Sequence, residues 1–239
     1  MAGEPEKDVL ADTYDVDDYE SDEGDDDPCG PPIENRISVT QFIAELTKKR
    51  GFPYALMGGF AMVLRGSERL NNHVDMIIQA PGPQIRDIIK AERRMKIPSK
   101  RFHGGVIRTF VKTGPGHDNC ETAYEVEVDI VVADKGYSGP RGSPVNIENG
   151  RETLQFPEPR TGKMIAFEVL DLRWMMKTKL FACSQRLARR DYTDLEYLVT
   201  TYTDQVRSFF HELDHEQVDH WFDGLASVNQ KDMRAKLGV

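Results

Sequence analysis

Cysteine is scarce in this 239-residue chain: Cys29, Cys120 and Cys183 are odd in number and far apart. That spacing argues against a disulfide framework and against a cysteine-built zinc site, and it fits a reducing, intracellular setting. Long apolar runs are missing as well. Although 39% of the residues are apolar, enough for a core, no stretch approaches the length that spans a bilayer, and no membrane partner is expected. Basic residues are nearly absent from residues 1–28, which hold thirteen carboxylates and a single lysine. Secretory and mitochondrial leaders are basic at this end, so a cytoplasmic location is expected, with the nucleus also compatible.

The charge imbalance is local. Residues 1–28 sum to −12 and the whole chain to −9, which leaves +3 on the remaining 211 residues. A mildly basic body is compatible with a nucleotide or nucleic-acid ligand but does not single one out. With Pro28, Gly30, Pro31 and Pro32 following the acidic runs, residues 1–34 read as a disordered acidic tail and linker, with little to bury. Such a tail could also imitate nucleic acid and compete for a binding site.

The body begins with helical spacing at Val39, Phe42, Ile43 and Leu46, with Ser38 as N-cap and Gly51-Phe52-Pro53 as the stop. A short apolar strand, Tyr54 to Met57, then meets Gly58-Gly59. Glycines between a strand and a helix permit positive φ and let a ligand approach the backbone, and the helix start that follows favours phosphate. Beyond Gly66, Ser67 and Arg69 a second strand opens at Val74. Alternation puts His73, Asp75 and Ile77 on one face and Val74, Met76 and Ile78 on the other. Pro81-Gly82-Pro83 turns into a helix spaced on Ile85, Ile88 and Ile89.

Further strands are expected from Gly104 to Val111 and from Ala123 to Ala133, joined by a loop from Lys112 to Cys120 that is expected to help frame an acceptor site. In the second of these strands Glu125, Glu127 and Asp129 share a face, with Tyr124, Val126, Val128 and Ile130 opposite. Carboxylates at every second position repel one another unless something positive neutralises them, so the choice lies between a solvated face and a metal site. Residues 134–160 are rich in glycine and proline and read as an irregular connection. From Met164 to Leu187, and again from Arg190 to the end, the chain reads as helical.

Two motifs carry chemistry. His211-Glu212-Leu213-Asp214-His215 formally matches the zinc motif H-E-x-x-H. Its charged Asp214 and polar surroundings suit two exposed histidines better, and a zinc hydrolase is the weakest reading. The other is the ordered set Gly58-Gly59-x-Ala61, Gly66, Arg69 and Asp75, followed 54 residues later by Asp129. This set resembles the nucleotidyltransferase superfamily, whose fold is like that of DNA polymerase beta. It is more specifically similar to the small Gly-Gly-x-Ala type found as stand-alone enzymes in fungi and bacteria, abortive-infection toxins included. The run Lys179-Leu180-x-Ala182-x-x-x-Arg186-x-x-x-Arg190-Asp191-x-x-Asp194-Leu195 is similar to the helical signature that follows the palm in those proteins.

The resemblance covers about residues 50–200. It implies an α/β (α+β) fold, with a mixed-sheet palm over residues 35–160 and a helical region over 161–239. It also implies Mg2+ or Mn2+ held by Asp75, Asp129 and His73, with Asp75 bridging the metals and Asp129 activating the acceptor hydroxyl. Gly58, Gly59, Gly66 and Ser67 would approach a nucleoside triphosphate, and Arg69 and Lys179 would balance its charge. The acceptor would be a hydroxyl or phosphate of an RNA, a protein or a small molecule. Oligomeric state is not legible. The sequence departs from the family here: members carry a threonine or serine followed closely by Asp-x-Asp where this chain has Asn71-Asn72-His73-Val74-Asp75, so His73 replaces the first aspartate. An imidazole is a poor magnesium ligand and removes a negative charge. Two readings therefore stand side by side, a nucleotidyltransferase and a catalytically degenerate relative that binds nucleotide or protein.

Overall fold

The computed structural model describes residues 30–98, 106–133, 146–186 and 188–239. The acidic segment 1–29, the expected strand start at Gly104 and the first part of the 134–160 connection lie outside the described residues. No helix among those described is long and apolar enough to cross a membrane.

Seven strands form one mixed sheet, and the periodicity of each segment explains its place. Helix α1 (Ile33–Lys48) buries a stripe that includes Ile37, Val39, Ile43, Ala44 and Leu46. It starts at Pro32, earlier than the Ser38 cap suggested, because Asn35 inside the new first turn donates to Thr113 Oγ1 (2.7 Å) and to the Thr122 carbonyl (2.8 Å). Strand β1 (Tyr54–Met57) runs into α2 (Gly58–Leu64), and β2 (Val74–Ile78) returns antiparallel to β1. Helix α3 (Gly82–Ala91) buries Ile85, Ile88 and Ile89, the three isoleucines its spacing aligned. A two-residue strand, β3 (Met95–Lys96), then leads to the hairpin of β4 (Val106–Thr113) and β5 (Tyr124–Val132). In β5 the buried residues Val126, Val128, Ile130 and Val132 alternate with the half-buried carboxylates, as period two requires.

Two segments differ from their sequence-based expectations. Residues 151–157 form strand β6 (Arg151–Pro157), and Met164–Leu170 forms β7, which pairs antiparallel with β6 and in parallel with β1 at Leu56↔Val169. Met164-Ile165-Ala166-Phe167-Glu168-Val169-Leu170 has helical composition, but pairing on both sides overrides that preference. The sheet order is β3-β4-β5-β2-β1-β7-β6. The helical region therefore starts at α4 (Leu172–Arg186) and continues through α5 (Arg189–Thr201), α6 (Thr203–Phe209), α7 (His215–Asp223) and α8 (Ser227–Leu237). Its core holds Trp221, fully buried and stacked on Phe222 with ring centroids 4.9 Å apart.

Arg65, buried just past the end of α2, joins the two halves. Its Nη2 donates to Glu152 Oε1 and to the Leu170 carbonyl, both at 2.6 Å. Its own carbonyl accepts from Tyr197 Oη (2.7 Å) and Tyr202 Oη (3.2 Å).

Candidate functional site

The site lies where β1, α2, β2 and β5 meet. Strands β2 and β5 are parallel and in register, with Asp75 directly opposite Asp129. On the other flank Met57 pairs with Asp75, so the turn that follows β1 falls on the acid. Gly58 adopts φ +63° there. A Cβ at Gly58 would lie 1.9 Å from Asp75 Oδ2, so only glycine allows both this conformation and the close approach of the carboxylate. His73 Nε2 lies 3.2 Å from that same Oδ2. Gly58, His73, Asp75 and Asp129 are thus gathered at one place on the sheet.

Asp129 has a partner that sequence reasoning missed. Arg108 stands opposite it on β4, and its guanidinium forks onto the carboxylate, Nε to Oδ1 at 2.9 Å and Nη2 to Oδ2 at 2.8 Å. Arg108 Nε is also 2.8 Å from Glu127 Oε1. The side chains of Glu127 and Asp129 are only 11% and 18% exposed, so this pairing is poorly screened and worth more than a surface bridge. Lys112 is registered opposite Glu125. The acidic face of β5 is therefore matched by a basic face on β4, which answers the repulsion its spacing creates. The only sequence signal was alternation of Arg108 and Lys112 along a strand, which means nothing until the hairpin register is known.

These donors do not fit a two-metal centre. Both oxygens of Asp129 are held by Arg108, and the residue beside Asp75 is an imidazole rather than a carboxylate. Among the described residues, no group of three or more His, Cys, Asp or Glu side chains is set to hold a metal ion.

The remaining expected residues divide. Gly59 lies against Asn71 and Arg69: a Cβ there would meet Asn71 Nδ2 at 2.4 Å and Arg69 Nη2 at 3.2 Å. Gly66 and Ser67 fall just past the opposite end of α2, whose seven residues span about 10 Å by helical rise. Gly66 faces Tyr197 there, and Ser67 Oγ accepts from the Arg69 amide (3.4 Å). Arg69 and Lys179 meet at a single buried oxygen: Arg69 Nη1 and Lys179 Nζ are each 2.6 Å from Asp194 Oδ2. Arg186 forks onto neighbouring Asp191, Nε to Oδ2 at 2.7 Å and Nη2 to Oδ1 at 2.9 Å. The helical signature thus builds an ion cluster that seats α4 and α5 against the turn after α2.

Two further polar groups adjoin Gly59. Arg36, on α1, lies over the Phe60 ring at 5.3 Å and donates from Nη1 to Asn71 Oδ1 (3.3 Å). Burial lowers its pKa to about 10 against the opposing pull of Glu34. Asn71 is 3% exposed. Its Nδ2 and the Nε of Arg36 are buried without hydrogen-bond partners among the described residues.

The loop after β4 does not sit beside the acids. Tyr124 is about 17 Å along the strand from Asp129, and the loop leans on α1 instead. There Asp118 accepts from Ser38 Oγ (2.6 Å) and Arg94 Nη2 (2.7 Å), and from the amides of Gly114 (2.8 Å) and Cys120 (3.0 Å). The zinc motif is broken: His211 and Glu212 belong to a 3-10 turn, Leu213 is extended, and His215 opens α7, so the two imidazoles do not share a helix.

No family model matches the sequence, and no curated protein matches it. By structure the chain is similar to an antigenic nucleotidyltransferase-like protein from Paracoccidioides brasiliensis, at 16% identity and TM-score 0.53, covering 86% of this chain and 93% of that one. It is also similar to JHP933 from Helicobacter pylori, at 14% identity and TM-score 0.50, covering 87% and 95%. Identities this low establish the fold alone, and that fold is nucleotidyltransferase-like.

Proposed function

We propose that this nucleotidyltransferase-like palm binds a nucleoside triphosphate without transferring a nucleotide by the two-metal route. The observation that carries the reading is the fork of Arg108 on Asp129. A guanidinium already supplies the positive charge that a divalent ion would bring to this carboxylate, and displacing it would cost a partly buried cation its bidentate partner, leaving Glu127 to hold it. The departure at His73 points the same way, because it removes an oxygen ligand from beside Asp75. What remains to face a nucleotide is the turn at Gly58 and Gly59, with Asp75 packed against Gly58 and Asn71 and Arg69 against Gly59.

A second reading, nucleotide transfer to an RNA, protein or small-molecule hydroxyl, is favoured by one feature: Asp75 and Asp129 lie directly opposite each other. It requires Asp129 to be released from Arg108. The full chain is incubated with each labelled nucleoside triphosphate, total RNA or lysate, and Mg2+ or Mn2+, alongside equilibrium binding of the same nucleotides. Binding without label transfer is the expected result. Transfer that disappears in Asp75→Ala would establish the second reading in its place, and the absence of both binding and transfer would remove the two together.

A further inference from the structure

We infer that Arg36 and Asn71, with Arg69 beside them, form an oxyanion site that holds the phosphate chain of the nucleotide without metal; this rests on the nucleotide-binding reading above. Two linked observations carry it apart from any motif. The first is the pair of orphaned donors. A buried amide or guanidinium N–H that lacks a partner costs on the order of 1–3 kcal/mol, so native structures rarely keep one without a use. Here two such donors, Asn71 Nδ2 and Arg36 Nε, belong to side chains already in contact. The amide cannot be turned around to remove the fault, because Arg36 Nη1 needs Oδ1 as its acceptor. Nδ2 thereby abuts the side of Gly59 that bears no side chain, where Arg69 Nη2 also arrives.

The second is electrostatic. Burial lowers the pKa of Arg36, with Glu34 acting in the opposite direction. Its stem lies over Phe60 while one of its nitrogens stays unpaired. Among the described residues its Nε meets no acceptor, and a phosphate oxygen is the acceptor its planar fork fits best. The neighbouring acids do not forbid an anion: Asp129 and Glu127 are covered by Arg108, and Asp75 is contacted by His73. Asn71 is borne on residues 67–72, which form neither helix nor strand, so the segment can shift to admit an oxygen while Arg36 keeps its hold on Oδ1.

The test measures binding of ATP and of inorganic tripolyphosphate to the full chain in EDTA and again with Mg2+. The expected result is binding in EDTA that Mg2+ does not strengthen, and an affinity about tenfold or more lower in Arg36→Met. Because Arg36→Met could disturb α1, Asn71→Asp is the second variant. It preserves shape and gives Arg36 a counter-ion, so the melting temperature should hold or rise while affinity for both anions falls about tenfold or more. Unchanged affinity in both variants would overturn this site and leave the nucleotide-binding reading standing, as would binding that appears only with Mg2+. Failure of the wild-type chain to bind either anion would overturn both.

Discussion

At the scale of single residues, the ion cluster around Asp194 decides what Lys179 does. Its Nζ lies 2.6 Å from Asp194 Oδ2 and 3.9 Å from Asp191 Oδ1, and its side chain is 5% exposed. A cation so placed is committed to structure, because taking it away leaves carboxylates buried with less compensation. Arg69 and Arg186 still hold the two aspartates in that event, so the loss should sit near the low end of the usual range, about 3 kcal/mol. Lys179→Met is therefore expected to lower the melting temperature by roughly 6–12 °C, read by circular dichroism or calorimetry. Loss of nucleotide affinity with no loss of stability would instead restore the phosphate-facing role that the family resemblance implies. The same distinction explains why residue types alone misled: a lysine on a helix face looks alike whether it meets phosphate or a buried aspartate.

At the scale of elements, α1 is fastened to the β4–β5 hairpin through Asp118, and this junction has a pH signature. Burial alone would raise the Asp118 carboxyl, but hydrogen bonds from Ser38 and from the Gly114 and Cys120 amides outweigh it and hold the pKa below its ordinary 3.8. A carboxyl depressed on folding stabilises at pH above its unfolded value, and the contribution disappears as pH falls through the folded value. The stability gap between wild type and Asp118→Asn should thus be constant above about pH 5 and shrink below about pH 4. Its plateau should be roughly 1–3 kcal/mol, measured by urea unfolding across that range. A gap that widens in acid would show that Asp118 is not held as a carboxylate. Legibility divides along the same elements. Helix α3 and strand β5 were visible because a single face is apolar and the period is clean. Strand β7 was not, since Ala166, Glu168 and Leu170 favour helix and only its pairing with β1 and β6 makes it extended. In the site, alternation along β2 and β5 put Asp75 and Asp129 on strand faces. The partners Arg108, Arg36 and Asn71 were hidden, because each acquires meaning from a register or a helix packing that no local pattern encodes.

At the scale of the whole molecule, charge is divided more sharply than any fold element. Residues 1–28 carry −12 and the rest +3, while the nucleotide proposed for the palm is itself an anion. A run of that charge close to the site would raise the potential an incoming phosphate must cross and would compete with it for the same cations. Both effects are long-ranged only at low salt, since the Debye length falls from about 30 Å at 0.01 M to about 3 Å at 1 M. Removal of residues 1–29 should therefore tighten ATP binding at low ionic strength, and the difference should fade as salt approaches 1 M. The melting temperature should stay the same, because the segment has little to bury. If instead the gain in affinity persists at high salt, the segment acts by direct contact with the site. Equal affinities at every salt concentration would mean that the acidic run is electrostatically remote from the palm.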